Sequence, residues 1–176
     1  MNVRKQAGYL CKQYIDWYIW EKVQMAYMGE KPEDFVLKDQ HSKEFRLSEH
    51  LGKRVLLSFH PLAWTDACAG QMRTLEDNYD RFDKCNTIAV GISIDSLQSK
   101  RAWAQSLSIT HTRLLADFWP HGAVSREFGL FREKNGISER ANILLDSSHN
   151  IIYFRIYPIH SVPELTDILG ILEAPD

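Results

Sequence analysis

Apolar residues near the N-terminus recur at spacings of three and four. Tyr14, Trp17, Tyr18, Met25 and Met28 share one face with Glu21, which predicts a helix from Gly8 to Met28. Gly29 and Pro32 end it. From Asp34 onward the pattern shortens to strand-like runs. Phe35-Val36-Leu37 and Glu44-Phe45-Arg46-Leu47, separated by polar residues, predict a small hairpin. Arg54 to Phe59 and Thr87 to Ile92 are nearly continuous apolar runs, the pattern of strands buried on both faces. Between them, Met72, Leu75, Tyr79 and Phe82 form the apolar stripe of a helix over 65–82. Ser99 to Leu107 predicts a further helix, Arg113 to Ala116 a strand, and Pro120 the start of a helix through Phe128. Ala141 to Leu145 and Ile151 to Arg155 flank the turn-forming Asp146 to Asn150 as a second hairpin, and Ser161 is the expected cap of a final helix. The chain therefore divides into an N-terminal helical arm, 1–31, and a body, 32–176, of the α/β class. The body is expected to hold a mixed central sheet flanked by helices.

Composition narrows the function classes. A chain of 176 residues, 44% hydrophobic, suits one body with an ordinary core. Its 21 basic and 23 acidic residues are nearly balanced. Nothing in that balance suggests nucleic acid or an anionic membrane as a partner. No run approaches the roughly 20 apolar residues that span a bilayer. The arm is expected to pack on its own body or on a second subunit, since a membrane-surface helix wants more Lys and Arg on its polar face. The first residues show neither an uninterrupted apolar region nor a small-residue cleavage site, so a cytoplasmic protein is expected. Cys11, Cys68 and Cys85 are too scattered for a disulfide framework and read as thiols. No His-x-x-x-His or Cys-x-x-Cys spacing occurs, which gives a metal site little support.

The chemically informative stretch runs from Phe59 to Cys68, between the first buried strand and the helix that follows. Ligand sites of open α/β sheets favour such carboxyl ends of strands. With Thr65 as helix cap, Cys68 falls at the third helical position. There, backbone N–H groups lack intrahelical acceptors and the dipole is positive. Both favour the thiolate, which is the nucleophilic form. Taken from spacing alone, the residue reads more readily as a small core side chain, as most lone cysteines near buried strands are. His60, eight positions earlier, raises a Cys–His hydrolase pair that only spatial placement can judge. His121 reads as an exposed polar residue or a subunit contact, and Trp64 and Trp119 as core, rim or interface aromatics.

Pro61, Thr65 and Cys68 reproduce the Pro-x-x-x-Thr-x-x-Cys signature of peroxiredoxins, and the stretch from Asp34 to about Leu172 resembles that family. Pro61 to Thr65 and Leu114 to Val124 are similar to its one-cysteine alkyl hydroperoxide reductase E branch. The resemblance implies a thioredoxin-like fold and reduction of hydrogen peroxide, organic hydroperoxides and often peroxynitrite, without metal or organic cofactor. It implies that Cys68 is the peroxidatic cysteine, that the Thr65 hydroxyl orients thiolate and peroxide, and that Pro61 shields the sulfur. It assigns Arg140 as the distant cation of the site; otherwise Arg140 reads as a solvated strand-edge charge. One position departs from the pattern: Gln71 stands where many relatives carry Glu, and its amide is expected to keep the hydrogen bonding.

The resemblance further implies a homodimer and a thiol reductant, either a thioredoxin-like or glutaredoxin-like protein or a small thiol. Two internal cysteines are candidates to resolve a sulfenic acid. Cys85 is separated from Cys68 by the intervening helix, so pairing would require local unfolding. Cys11 lies in the arm and would need that arm to reach the site. The rival reading from another class is a peroxide sensor or redox relay that acts through a partner instead of by turnover.

Overall fold

Strand Arg54–Phe59 (β3) lies at the middle of the sheet because both of its faces are apolar, and five of its six residues are buried. The computed structural model describes residues 27–174. Around β3 the strands are Val36–Lys38 (β1), Glu44–Arg46 (β2), Thr87–Ser93 (β4), Arg113–Ala116 (β5), Arg140–Leu145 (β8) and Ile151–Tyr157 (β9), in the order β2-β1-β5-β4-β3-β8-β9. β3, β4 and β5 run parallel, while β8, β9, β1 and β2 are added antiparallel. Phe131–Arg132 (β6) and Ile137–Ser138 (β7) form a separate two-stranded ribbon.

Alternation along the strands divides the core into two layers. Val55, Leu57 and Phe59 of β3, with Val90 and Ile92 of β4, face one layer, which is completed by Val124 and Phe128. Leu56 and Leu144 face the other, against Met72, Leu75, Phe82, Trp103 and Ile168. That second layer carries helices Asp66–Asp77 (α1), Tyr79–Lys84 (α2), Leu97–Ser106 (α3) and Thr166–Glu173 (α5); Ala123–Glu127 (α4) packs on the first. Gly91 permits a close helix-to-sheet approach: a Cβ there would collide with Met72 Sδ. The mixed sheet with helices on both faces is the expected architecture.

Several boundaries differ from expectation. The helix over 65–82 is two helices, α1 and α2, separated at Asn78. Its side-chain amide donates to the Thr74 carbonyl at 2.8 Å, one turn back, and competes with the regular ladder. The break releases Tyr79 from the apolar stripe to stack on His111, 4.5 Å between ring centres. Helix α3 begins two residues early, because the Ser96 hydroxyl accepts from Ser99 N–H. Pro120 sits in the turn before α4, and Gly122, in a left-handed conformation, precedes the first helical residue instead. Ser161 caps nothing: its hydroxyl donates to the Pro158 carbonyl at 2.8 Å, and α5 starts only at Thr166.

Of the predicted arm, residues 1–26, including Cys11, lie outside the described residues. Tyr27 stacks obliquely on Phe154, 5.4 Å between centroids, and Gly29 N–H donates to the Ile151 carbonyl at 2.8 Å. The end of the arm is therefore bonded to β9. Among the described residues no helix is long and apolar enough to cross a membrane.

The approach to β5 is held by one carboxylate. Glu76 Oε1 accepts from Thr110 and His111 N–H, and Oε2 from Thr112 N–H, at 2.7 to 2.9 Å. Burial raises its carboxyl, but these bonds outweigh it and bring the value from 4.5 to about 2. A carboxylate lowered by folding stabilises the native state above its unfolded value, and that stability is lost as pH falls through the folded one. Acid titration of unfolding should therefore show Glu76→Gln less stable than wild type at neutral pH. The difference should shrink between pH 4.5 and about 2.

Candidate active site

Two strand ends and one helix start build the site. The register that places Ser58 opposite Asn142, continued by two residues, sets His60 opposite Arg140. Because side chains alternate, Leu56, Ser58 and His60 of one strand and Leu144, Asn142 and Arg140 of the other share the face covered by α1. Cys68 is on α1, three residues beyond Thr65. Sheet parity thus carries a cation from the far strand to the thiol.

The structure brings Cys68 and Arg140 into contact. Arg140 Nη2 lies 3.3 Å from Cys68 Sγ, and both side chains are buried. The guanidinium is fixed on its other sides. Nε and Nη2 both donate to the Ile159 carbonyl, at 3.2 and 2.8 Å, and Nη1 donates to Gln71 Oε1. A planar fork satisfied this way has little freedom to turn from the sulfur. Arg140 is therefore no solvated strand-edge charge.

Gln71 is buried, and its amide orientation follows from its partners. Nε2 donates to the Phe59 carbonyl at 3.1 Å and to Ser58 Oγ at 2.8 Å, leaving Oε1 for Arg140. A carbonyl can only accept, so the nitrogen must face Phe59. Ser58 in turn donates to Asn142 Oδ1 at 2.7 Å. The departure at position 71 keeps the hydrogen bonding and removes a negative charge from beside the guanidinium.

Thr65 occupies the cap position of α1, but its side chain caps no N–H. The hydroxyl donates to the Leu62 carbonyl at 3.3 Å, across the turn in which Trp64 adopts positive φ. A hydroxyl whose proton is used in this way offers only lone pairs to a further partner. The turn is anchored by Asp95, whose Oδ2 accepts from Ala63 N–H at 2.8 Å and Ser93 Oγ at 2.6 Å. Trp64 Nε1 donates to Ser99 Oγ at 3.1 Å, with the ring more than half exposed.

Pro61, Thr65 and Arg140 line one open depression of about 410 Å³, together with Ile137, Ile159 and His160. Cys68 has no exposed surface and lies beneath it. Of the other predicted residues, Cys85 ends α2, half-buried, and the part of α1 from Cys68 to Asp77 alone places about 14 Å of helix between the two cysteines. Neither Cys68 nor Cys85 is in a disulfide. No hydrogen bond joins His60 to the sulfur: its Nε2 meets Lys100 at 3.5 Å. Burial, reinforced by Lys100 and Arg140, holds its imidazole far below the ordinary value and neutral. That does not favour a Cys–His pair. His121, exposed, bonds the Gly136 carbonyl at 2.8 Å.

A lone thiol at the head of a helix, after a central parallel strand and against a guanidinium from an antiparallel one, defines a thiol-redox protein of thioredoxin-like fold. Comparison with known proteins specifies the class further. Residues 28–154 match the model of the AhpC/TSA family. Alkyl hydroperoxide reductase E of Mycobacterium tuberculosis (strain ATCC 25618 / H37Rv) is 38% identical over 125 residues, 70% of this chain and 81% of that protein. Peroxiredoxin-1 of Gekko japonicus is 28% identical over 159 residues, 85% of this chain and 79% of the relative. Among solved structures, the reduced 2-Cys peroxiredoxin of Plasmodium vivax superposes with a TM-score of 0.77 at 24% identity, covering 84% of this chain and 81% of the other. Peroxidoxin BcpB of Mycobacterium tuberculosis superposes with a TM-score of 0.73 at 24% identity, covering 83% and 96%. The chain belongs to the AhpC/TSA family, the peroxiredoxins, and is a thiol-dependent peroxidase.

Proposed function

We propose that Cys68 is the nucleophile of this peroxidase and that it reduces hydrogen peroxide, organic hydroperoxides and peroxynitrite. The contact between Arg140 Nη2 and Cys68 Sγ carries the reading. The thiolate attacks the nearer peroxide oxygen in line with the O–O bond. That bond breaks, an S–O bond forms, and the departing oxygen takes a proton and leaves as water or an alcohol, or, from peroxynitrite, leaves as nitrite. Cys68 becomes a sulfenic acid, two electrons more oxidised than the thiol. Arg140 stabilises the thiolate before attack and the charge moving onto the leaving oxygen during it. Thr65, its proton engaged by Leu62, accepts from the O–H of the incoming hydroperoxide. Pro61 closes one side of the depression over the sulfur.

The reductant is an external thiol, either a thioredoxin-like or glutaredoxin-like protein or a small thiol. The α1 helix between Cys68 and Cys85 supports an external source over Cys85. Cys11 is the remaining internal candidate. The protein acts in the cytoplasm, and its partner in assembly is a second copy of itself. Trp119 and Phe118, 82% and 52% exposed, support this: they border the start of α3, where Trp64 is also bonded. Sedimentation should show a dimer for wild type and a shift toward monomer for Trp119→Glu; a wild-type monomer at all concentrations would refute the pairing. Turnover separates the enzyme from the relay reading, because a relay consumes peroxide only stoichiometrically.

A further inference from the structure

The loop between β3 and α1 enters the site through a strained turn, and what holds that turn lies beyond a different strand. Trp64, the residue before Thr65, has a φ of +67°. A bulky side chain rarely adopts this left-handed conformation, which persists only where the surroundings over-determine it. Within the loop, the side-chain bond across the turn is that of Thr65 Oγ1 to the Leu62 carbonyl. At 3.3 Å it is long for a hydroxyl donor and a weak restraint.

The stronger restraints come from the end of β4 and the start of α3. The Ile92 carbonyl accepts from His60 N–H at 2.9 Å and carries the β3–β4 pairing one residue past Phe59. Asp95 Oδ2 accepts from Ala63 N–H at 2.8 Å, directly before the left-handed residue. Ser99 Oγ accepts from the Trp64 indole at 3.1 Å, and Ser99 is itself fixed by donating its N–H to the Ser96 hydroxyl. Of these partners, Asp95 is the side chain that grips the backbone of the turn. Its oxygen is aimed by Ser93, the buried last residue of β4, whose hydroxyl donates to the same Oδ2 at 2.6 Å. One oxygen thus receives two protons, one from the sheet and one from the turn.

We infer that Asp95 is a positioning residue of the peroxidase: it holds Trp64 in the left-handed turn and so fixes where the Thr65 hydroxyl meets the incoming hydroperoxide. The chain of contacts is short. Asp95 fixes the N–H of Ala63, and the turn at Trp64 sets the direction in which the backbone enters α1. Thr65 follows at once, its carbonyl accepting from Ala69 N–H at 2.9 Å, so it cannot turn independently of that backbone. Without Asp95 the turn can relax to negative φ at Trp64 and take the Thr65 hydroxyl with it. Peroxide then still reaches Cys68, but its O–H is no longer held in line, and a misplacement of about 1 Å can cost on the order of 10²-fold. The role needs an acceptor oxygen and not a charge, because an asparagine can offer its one oxygen to both donors. The inference rests on Cys68 as the nucleophile and on Thr65 as the acceptor of the peroxide O–H.

The test is the rate of the first oxidation step with hydrogen peroxide in wild type, Asp95→Ala, Asp95→Asn, Thr65→Val and the double variant Asp95→Ala/Thr65→Val. Alongside it, the rate of Cys68 alkylation by iodoacetamide is read on the peptide that contains Cys68. Asp95→Ala should slow the peroxide step about 10- to 100-fold. Asp95→Asn, which keeps the acceptor, should stay within about threefold of wild type. The double variant should be no slower than Thr65→Val, since a residue that acts through the Thr65 hydroxyl has nothing to position once that hydroxyl is gone. Iodoacetamide brings no O–H to be held, so its rate should be the same in all five proteins. An unchanged peroxide rate in Asp95→Ala, losses that multiply in the double variant, or an equal fall in alkylation would overturn the inference. A loss in Asp95→Asn as deep as in Asp95→Ala would overturn it too, because charge would then be the requirement. If Asp95→Ala does not fold, Ser93→Ala decides. It frees one side of Oδ2 and should slow the peroxide step, but not in the Thr65→Val background; a wild-type rate refutes the role. Wild-type peroxide consumption in Cys68→Ser, with the coupling of Asp95 to Thr65 present, would instead count against the nucleophile assignment alone.

Discussion

Cys68→Ser protein is expected to consume hydrogen peroxide no faster than the uncatalysed background, while Cys11→Ser and Cys85→Ser retain the first oxidation step at the wild-type rate. The asymmetry follows from placement. Cys68 alone of the described thiols touches a guanidinium, at 3.3 Å, and it lies in the first turn of a helix. Cys85 ends α2, beyond the 12-residue α1. A serine hydroxyl in place of the thiol fits the same space but is not ionised near neutrality and does not attack the O–O bond. Peroxide loss in a thiol-coupled assay measures the effect. Equal consumption by Cys68→Ser would remove the nucleophile from the scheme, and loss on changing Cys11 would point to the arm as the resolver.

Arg140→Met should lower the rate of the peroxide step by about 10² to 10³, the usual consequence of removing one preorganised donor from a developing negative charge. The side chain makes four contacts at once: two to the Ile159 carbonyl, one to Gln71 and one to the sulfur. Arg140→Lys should not recover the rate, since a point charge cannot serve acceptors arranged around a planar fork. Stopped-flow tryptophan fluorescence, to which Trp64 in the turn beside Thr65 is expected to contribute, measures the step. A rate within about twofold of wild type for Arg140→Met would be far outside the range expected for such a donor.

Much of the architecture was legible in the chain. The buried parallel strands showed as apolar runs at Arg54 to Phe59 and Thr87 to Ile92, and both hairpins showed as strand patterns around turn-forming residues. What failed was local competition. Asn78 breaks a helix whose apolar stripe continues through Phe82, and Ser161 donates to the Pro158 carbonyl where a helix cap was expected. Short polar side chains have such alternatives, and periodicity does not register them.

The site was legible in pieces. Pro61, Thr65 and Cys68 lie within eight positions and carry a motif. Arg140 is 72 positions from the cysteine and was placed only by resemblance. Strand parity offered a physical signal for it, because residues 140, 142 and 144 must share a face, but the register against β3 had first to be known. Ser58 and Asn142 were visible as polar residues inside apolar runs, and both proved to be the supports of Gln71 and hence of Arg140. Asp95 and Lys100 gave no such sign. A lysine on a helix reads as solvated, and only the packing of α3 against the sheet shows that Lys100 is buried.

The most direct test of the peroxidase chemistry is mass spectrometry of the reduced protein after one equivalent of hydrogen peroxide, with dimedone present to trap sulfenic acid. The expected result is one dimedone adduct, on the peptide containing Cys68. An adduct confined to another cysteine, or protein left unmodified while peroxide persists, would contradict it.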